Sequence, residues 1–462
     1  MTTAERIREI EQELAAMPTG YISRKIINGK ERFYLQWTEN GKLKSKYIKA
    51  SEYEAITAQV ARRKQLQAEL KELKHSPEGI QAQNLKRKVV RGAMNITGTL
   101  MSEDRIIATI KNGEITSADN NLLPLYLKRT GNVERWLASR AIDAHRTNSR
   151  LLKRALRLRT KDDAQTALAV NAATATDRYW FRPEGSTARY EDIRFKENYF
   201  DMLALRGDPN GFSYRPSRTP ELTNTGSFEK CWRLIDGAWW MYKSGNQNEY
   251  FSELFICRLG EKLGFPMTHY EMDGDYIRSA DFTNGAALNF EPISALMGEN
   301  EDYSDCFDAI YEISPELAEQ YLRIVWLDTI CYNMDRHTEN FGFLRDIHSG
   351  EIVSMAPNYD NNIALISRGY PNSVSRETDG LIRFFREFLE QNETAKAMYQ
   401  SMALPEITEV ILEACFAEIS IEADLEFIEA FVLNGQTAVR DAILSEDHSE
   451  DDEEDNGFPI TL

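Results

Sequence analysis

The chain has 462 residues, of which 42% are hydrophobic, 10% aromatic and 28% charged. This balance is typical of a globular protein with aromatic-rich cores and excludes wholesale disorder, while the length exceeds what one ordinary core accommodates. The formal net charge of -18 argues against a protein that wraps nucleic acid with its whole surface, although it allows a local basic patch. From the length we expect two or three domains.

Five cysteines and six histidines are scattered along the chain without the spacings of zinc ligands or of a disulfide framework. No apolar run approaches the ~20 residues that cross a bilayer, and the N-terminal stretch lacks the features of a secretory signal. The sequence therefore predicts a cytoplasmic protein without a zinc site, disulfides or a membrane partner.

Residues 1–75 carry runs of β-forming residues between two helical patterns. Asn-Gly pairs beginning at Asn28 and Asn40 suit tight hairpin turns, so the sequence predicts a helix, a three-stranded meander and a helix. Ser51 and Glu54 match a capping box at the start of the second helix. The basic strands with interleaved aromatics fit either a nucleic-acid surface, as in the arm modules of some mobile-element recombinases, or an ordinary solvated sheet face.

The next region and the end of the chain carry no motif with catalytic chemistry. Residues 81–208 show strand-like alternation and a basic helical stretch, which we interpret as a support domain. Residues 445–462 include a dense acidic run, whose charges repel one another and whose apolar content is too low for a core. They are predicted to be a disordered tail, with docking to a basic partner as the alternative.

The chemistry is concentrated after residue 216, where the sequence has no Walker motif, GxGxxG, nucleophile elbow or HExxH. Gly226 lies in a small polar loop, and Asp236 begins a turn into a second strand that ends at Lys243. Such a hairpin can cover nucleotide phosphates, and an ammonium group on a strand binds them as a point charge. The pattern is compatible with nucleotide binding but also with an ordinary turn.

A helical pattern follows this strand. Glu249 and Glu253 lie one turn apart near the start of the helix, and either could pair with Lys243 and fix its position. Both are also explained as first-turn carboxylates that the helix dipole favours.

The segment CYNMDRHTENFGFL, from Cys331 to Leu344, is the sharpest signal in the chain. Asp335 and Asn340 have the interval of the HRDxxxxN loop, in which the Asp faces an attacking hydroxyl and the Asn offers an amide oxygen to Mg²⁺. His337 between them is placed to hydrogen-bond a phosphate or the loop backbone. The alternative is structural: Asp335 caps a helix and Asn340 is an ordinary loop residue, without a catalytic role.

Asp360 follows the hairpin that starts after this loop, where a second metal carboxylate belongs in phosphoryl-transfer sites of this kind. In this sequence Tyr359-Asp360-Asn361 takes the place of the DFG triplet. By itself Asp360 would be only a turn aspartate. The spacing of the four segments predicts nucleotide-dependent phosphoryl transfer.

The segments GSFEK, SELFICRLGEKLG, DRHTENFGFL and APNYD, together with Lys243, resemble the HipA-type serine/threonine kinases, whose members include toxins paired with DNA-binding antitoxins. The resemblance covers residues 222–365, and the region from about residue 81 is similar to the N-terminal domain of some HipA-like proteins. It implies ATP and Mg²⁺ as cofactors and an antitoxin-like DNA-binding partner. The protein substrate is not identified by it.

The resemblance also implies roles for single residues. They are phosphate binding by Gly226, Ser227, Lys230 and Lys243, pairing with that lysine by Glu253, adenine contact by Ala280 to Phe282, catalysis by Asp335 with His337, and Mg²⁺ binding by Asn340 and Asp360. Three features depart from the family pattern: Glu339 replaces the usual lysine, the glycine loop is atypical, and residues 1–74 are additional.

The sequence thus predicts an α+β, protein-kinase-like bilobal fold. Residues 216–285 are expected to form a small β-rich lobe and residues 286–444 a larger helical lobe, preceded by the support domain 81–208 and the N-terminal module 1–75. The predicted function is ATP- and Mg²⁺-dependent phosphorylation of a serine or threonine hydroxyl, as by the toxin of a toxin–antitoxin-like system. One alternative is a catalytically silent kinase-fold protein of a mobile element, with a DNA-binding or regulatory role. The other is a kinase that acts on a lipid or a small molecule.

Overall fold

The computed structural model describes residues 3–27, 30–39, 42–75, 96–142, 149, 152–153, 162–196, 205 and 229–444. These residues fall into two compact units, Met1–Met94 and Asn95–Leu462. The predicted acidic tail and the two loop residues Gly226 and Ser227 lie outside the described residues.

The first unit contains the predicted helix, meander and helix. Its elements are α1 (Thr3–Ala16), β1 (Tyr21–Ile27), β2 (Lys30–Glu39), β3 (Lys42–Ile48) and α2 (Tyr53–His75). The strands pair antiparallel in the order β1-β2-β3, which confirms the meander. Leu35 and Ile48 are buried on one face of the sheet, and Ile10 and Leu66 are buried on the two helices.

The predicted cap at Ser51 is wrong. Ser51 lies inside a 3-10 turn, Ala50–Glu52, that leads directly into α2. The residue that precedes this turn, Lys49, makes no capping hydrogen bond. A short 3-10 turn at a helix start satisfies backbone groups by tighter i to i+3 bonds, so a capping side chain is not needed.

The second unit begins with a four-stranded antiparallel sheet of order β6-β5-β4-β7 and its short helices. These elements are β4 (Gly98–Ser102), β5 (Arg105–Lys111), β6 (Glu114–Ala118), α3 (Leu125–Thr130), α4 (Val133–Ser139), α5 (Asp163–Leu168), β7 (Tyr179–Pro183) and α6 (Tyr190–Ile193). Trp180 and Phe181 of β7 are fully buried, as expected for a strand that contributes to a core.

A second antiparallel sheet, of order β10-β11-β9-β8, carries the predicted hairpin. Its elements are β8 (Lys230–Ile235), β9 (Ala238–Lys243), α7 (Gln247–Lys262), β10 (Tyr270–Asp273) and β11 (Tyr276–Ala280). Asp236 and Gly237 both have positive φ, 50° and 83°, as a two-residue turn between twisted strands requires. The hairpin places Lys230 directly opposite Lys243.

A third sheet of order β12-β13-β14 and a set of helices complete the unit. They are β12 (Leu288–Pro292), α8 (Ser294–Met297), α9 (Tyr303–Tyr311), α10 (Pro315–Ile330), β13 (Gly342–Asp346), β14 (Ile352–Met355), α11 (Gly380–Gln391), α12 (Glu393–Ser401), α13 (Glu409–Phe416) and α14 (Leu425–Leu444). The main apolar core lies among these helices and α7. The unit therefore mixes small antiparallel sheets with helices, as the α+β prediction requires in its coarse form.

A buried ion pair on the third sheet of this unit is hydrogen-bonded to the first sheet. Arg345 on β13 pairs with Glu291 on β12, and its Nη1 also donates to the hydroxyl of Tyr179 on β7 at 3.1 Å. The same nitrogen donates to the carbonyl of Leu123 at 3.2 Å. Because breaking a buried ion pair is costly, this cluster holds β7 against β12 and β13, the strands before and after the loop 331–341, called the Asp335 loop below.

None of the helices in the described part of the chain combines the length and the apolar character that a membrane span requires.

Candidate active site

Lys243 lies at the end of β9 with its ammonium group buried between two carboxylates. Its Nζ is 2.7 Å from Oδ1 of Asp360 and 3.8 Å from Oε2 of Glu253. The implied pairing with Glu253 is therefore the longer contact, and Asp360 is the hydrogen-bonded partner. Burial disfavours the charged amine, but Asp360, Tyr270 and Glu253 outweigh it and raise the pKa of Lys243 well above its usual value.

The structure separates the roles of the two helix glutamates. Glu249 completes a capping box with Asn246, since its Oε2 accepts from the Asn246 backbone N–H at 2.9 Å while Asn246 Oδ1 accepts from the Glu249 N–H at 3.0 Å. Glu253 is fully buried one turn later, where its Oε1 accepts from the Asn361 N–H at 2.8 Å. Glu253 Oε2 has no hydrogen-bond partner, and burial raises the pKa of this carboxyl.

Asp360 has a left-handed backbone conformation with φ of 60°, which aspartate tolerates better than most residues. Its backbone N–H donates to the hydroxyl of Tyr270 at 3.1 Å. Burial acts to raise the pKa of the carboxyl, but the charges of Lys243 and Lys230 outweigh it and lower the pKa to about 2. Asp360 is therefore an anion at neutral pH.

The Asp335 loop connects α10 to β13 without regular structure, as predicted. The side-chain amide nitrogen of Asn340 donates to the Asp335 carbonyl at 2.9 Å, and the Asp335 N–H donates to Oδ1 of Asn333 at 3.1 Å. Since the Asn340 nitrogen is committed to the loop, its Oδ1 is the end that can face a ligand. Burial raises the pKa of the half-buried Asp335 carboxyl.

His337 hydrogen-bonds the loop backbone, one of the two roles predicted for it. Its Nδ1 lies 3.2 Å from the Glu339 N–H and accepts from it, which leaves Nε2 as the ring nitrogen that can meet a ligand. The His337 N–H donates to the Asp335 carbonyl at 2.9 Å. Asp335 and His337 both line one groove at the surface.

Arg336, which the sequence reasoning missed, organises the loop. Its fully buried guanidinium group pairs with both oxygens of Asp328 on α10, at 2.7 Å through Nε and 2.9 Å through Nη2. The remaining bonds go to the carbonyls of Asn340 and Tyr359 and to the amide oxygens of Asn358 and Asn361. The available signals were the Arg inside DRH and an aspartate in the mainly apolar last two turns of α10.

The two segments that carry the candidate metal ligands meet at this arginine. A single nitrogen, Arg336 Nη1, donates to the Asn340 carbonyl at 2.7 Å and to the Tyr359 carbonyl at 2.8 Å. Asn340 and the residue preceding Asp360 are thus held within a few ångströms of each other. An amide oxygen and a charged carboxylate are ligands that Mg²⁺ prefers, so these residues fit that ion.

The other implied nucleotide contacts lie on the second sheet and beyond its last strand. Ala280 ends β11, and its N–H donates to the His269 carbonyl at 2.9 Å. The centre of the Phe282 ring lies 5.4 Å from the ring centres of Phe290 and Tyr359, which places it beside residues 358–361, the Asp360 segment. Lys230 lies close enough to Asp360 to lower the pKa of that carboxyl.

One cluster elsewhere in the described residues has the spacing of metal ligands: Cys257, Glu261 and His269. Arg258 lies among them, with Nη1 3.1 Å from Glu261 Oε2 and 3.5 Å from His269 Nδ1. Burial, followed by the charge of Glu261, raises the pKa of the Cys257 thiol to about 12. A resident guanidinium and a protonated thiol both oppose a cation, so we assign no metal to this cluster.

Comparisons with known proteins cover different parts of the chain. Residues 2–58 match the model of a domain of unknown function, DUF6788. No curated protein matches the chain. Among solved structures, the Helicobacter pylori proinflammatory kinase CtkA is similar at 15% identity and a TM-score of 0.36, over 50% of this chain and 94% of CtkA.

HipA of Shewanella oneidensis MR-1, solved with HipB and its operator DNA, is similar at 12% identity and a TM-score of 0.47. This similarity covers 75% of the present chain and 99% of HipA. Scores and identities this low establish neither the activity nor the partners of the present chain.

Proposed function

We propose that this site transfers the γ-phosphoryl group of ATP, bound with Mg²⁺, to a serine or threonine hydroxyl. The observation that carries the proposal is the convergence around Arg336 and Lys243 of three segments that are distant in the sequence. These are the Asp335 loop, the Asp360 segment and the end of β9. Phosphoryl transfer requires mainly positioning and charge stabilisation, which such a set of groups supplies.

Each side chain has a role that follows from its surroundings. Lys243, at the end of a strand, offers an ammonium group to phosphate oxygens, and Asn340 Oδ1 and the Asp360 carboxylate are oxygen ligands for the ion. Bound Mg²⁺ would neutralise charge that develops on the transferred group. Asp335 is half-buried at the edge of a groove, where it can accept a proton from an incoming hydroxyl.

The proposed step balances without a further reagent. The acceptor oxygen forms a bond to the γ-phosphorus while the bond from that phosphorus to the departing ADP oxygen breaks, and the hydroxyl proton passes to a carboxylate oxygen of Asp335.

We further propose, on the motif resemblance alone, that the protein acts as the toxin of a toxin–antitoxin-like pair with a DNA-binding partner.

The Asp335→Ala variant tests the proposal. We expect it to lose phosphoryl transfer, measured as incorporation of labelled γ-phosphate, by about 10²- to 10⁴-fold while its thermal shift with Mg²⁺ and ATP persists. Asp441→Ala, an exposed aspartate on α14, is the matched control and should behave as the wild type. Retained transfer in Asp335→Ala, or a wild-type melting temperature that Mg²⁺ and ATP leave unmoved, would contradict the proposal.

A second candidate function belongs to the first unit. The register pairs Tyr34 with Tyr47, so these residues share one sheet face with Arg32 and Lys49, opposite the face that carries the buried Leu35. The Arg32 guanidinium lies 5.7 Å from the centre of the Tyr47 ring, which is 45% exposed. Residues 1–75 carry fifteen Lys and Arg against ten Glu and no Asp, unlike the acidic chain as a whole.

We propose nucleic-acid binding by this face, because cations beside exposed rings suit phosphates and bases. In the full chain, Arg32→Glu with Lys49→Glu should weaken binding of a labelled DNA duplex and reduce its salt dependence, since fewer counterions are released. Lys111→Glu, an exposed position on β5, is the control. Equal binding by all three proteins would exclude this face as the contact surface.

A further inference from the structure

A groove of about 630 Å³ runs beside the Asp335 loop. Its walls are the loop itself, the start of α9 and one side of α11. The groove is the space through which an acceptor hydroxyl would reach Asp335. Its chemistry therefore restricts what the acceptor can be.

The side of α11 that faces the groove presents Leu381 and Phe384 next to the polar Glu387. Ile382, Phe385 and Leu389 are buried in the core, whereas Leu381 and Phe384 line the groove. Phe384 is 49% exposed, and so is Met334 of the Asp335 loop, which lines the same groove. Large exposed apolar side chains with a polar rim are typical of a docking surface.

The rim on the α9 side is strongly acidic. Residues 298–322 contain eight Asp and Glu and no Lys or Arg. Of these, Glu301 and Asp302 line the groove, and Glu387 contributes a further carboxylate from α11. Asp302 caps α9 through the N–H groups of Ser304 and Asp305, so its position is fixed.

Little positive charge in the lining offsets these carboxylates. Arg336 is the one Lys or Arg among the lining residues, and its guanidinium group is buried against Asp328. Arg383 lies 3.7 Å from Glu387 on the exposed side of α11, a distance that gives only a weak, solvent-screened pair. The groove therefore attracts cationic side chains and repels phosphates.

We propose that the groove binds the acceptor as a protein segment in which the reactive serine or threonine is flanked by an apolar side chain and by Lys or Arg. The apolar side chain packs against Met334 and Phe384, and the cations lie against Glu301 and Asp302. This proposal rests on the proposed phosphotransferase function, because it assigns Asp335 as the group that meets the hydroxyl. Phospholipid head groups and phosphorylated metabolites are disfavoured by the same charges.

Binding can be measured separately from catalysis. The probe is a fluorescent synthetic peptide with one serine, one leucine and two arginines, titrated with the full chain in the presence of Mg²⁺ and a non-hydrolysable ATP analogue. We expect saturable binding by anisotropy, and none for the same peptide with glutamates in place of the arginines. A peptide that fails to bind the wild type overturns the proposal whether or not the protein transfers phosphate.

Two variants locate the contact. Glu301→Lys should raise the Kd for the basic peptide about fivefold, and Phe384→Ala by a similar factor, since each removes one of the two recognition elements. Glu312→Lys, an equally exposed carboxylate outside the groove lining, is the control for net charge. If Glu301→Lys and Glu312→Lys weaken binding equally, the effect is general electrostatics and the groove is not the site.

Phosphate incorporation into the same peptides distinguishes this inference from the proposed function. If the wild type phosphorylates acidic and basic peptides equally well, the groove proposal fails while the phosphotransferase proposal stands. If the basic peptide binds and Glu301→Lys weakens it, but no phosphate is incorporated into any peptide or into the protein itself, the docking surface stands and the proposed activity fails.

Discussion

The two halves of the candidate site are built around different cations. Arg336 on the loop side has a carboxylate and four loop oxygens as fixed partners. Lys243 on the sheet side is shared unequally between Asp360 and Glu253, and one Glu253 oxygen has no hydrogen-bond partner. The Arg336 guanidinium group is fully hydrogen-bonded, whereas the Lys243 ammonium group has one close carboxylate and one more distant one.

This difference follows from the two side chains. A guanidinium group presents five N–H donors in a rigid plane, which suits a permanent junction between backbone segments. An ammonium group is a compact charge on a flexible stem, which can exchange one oxygen partner for another without moving the backbone. We therefore interpret the Arg336 network as the scaffold of the site and the Lys243 cluster as the part that rearranges when a ligand arrives.

The scaffold interpretation predicts the largest effect on stability. Asp328→Asn keeps the shape of the side chain but leaves the buried Arg336 charge uncompensated, so the free energy of unfolding in urea should fall by about 3–5 kcal/mol. The matched control is Glu319→Gln on the same helix, whose partly exposed pair with Arg323 should contribute less than about 1 kcal/mol. Similar losses in the two variants would contradict the distinction between scaffold and surface pairs.

The Lys243 cluster predicts a smaller effect that depends on pH. Because the folded-state pKa of Asp360 is about 2, below its usual value of 3.8, this carboxylate stabilises the wild type at neutral pH and ceases to do so as the pH falls from 3.8 towards 2. In Lys243→Met the main compensating charge is gone, and we expect burial to outweigh the remaining cations, Lys230 and Arg336, and to raise the pKa of Asp360 above its usual value. The sign of the pH dependence is therefore reversed.

We expect Lys243→Met to lower the free energy of unfolding by about 2–3 kcal/mol near neutral pH, and by clearly less in mildly acidic buffer, where the buried carboxyls bind protons. Adding Glu253→Gln to this variant should recover part of the loss, since it removes one of the two carboxylates that Lys243 compensates. Urea titrations in both buffers measure these differences. A loss that is independent of pH would show that Lys243 does not compensate these carboxylates.

The sequence predicts the segments that meet at the candidate site but not the contacts between them. The interval between Asp335 and Asn340 and the turn at Asp236 are local patterns, and local patterns were sufficient to predict an irregular loop and a hairpin. Arg336 could not be assigned in this way, because its partners lie on α10 and on the Asp360 segment, and only the tertiary fold brings these together. Gly226 lies outside the described residues, so the predicted phosphate loop stays a prediction.

The sequence also contains a signal that distinguishes the two helix glutamates. Asn246-x-x-Glu249 is a capping box by sequence alone, and it commits Glu249 to the helix start. Glu253 was selected instead by the resemblance, and the structure places it beside Lys243. That Lys243 lies closer to Asp360 than to Glu253 cannot be read from the sequence, because it depends on the left-handed turn at Asp360.

The smallest predicted effect tests this division of roles. Asn246→Ala removes the acceptor for the Glu249 N–H and should lower the free energy of unfolding by about 1 kcal/mol, and Glu249→Gln should lower it by a few tenths. Gln247→Ala, an exposed position in the same turn, is the control. Because a cap acts on the helix and not on a ligand, the thermal shift with Mg²⁺ and ATP should be unchanged in Glu249→Gln and reduced in Glu253→Gln. Equal reductions in both would mean that the helix start itself contributes to the ligand site.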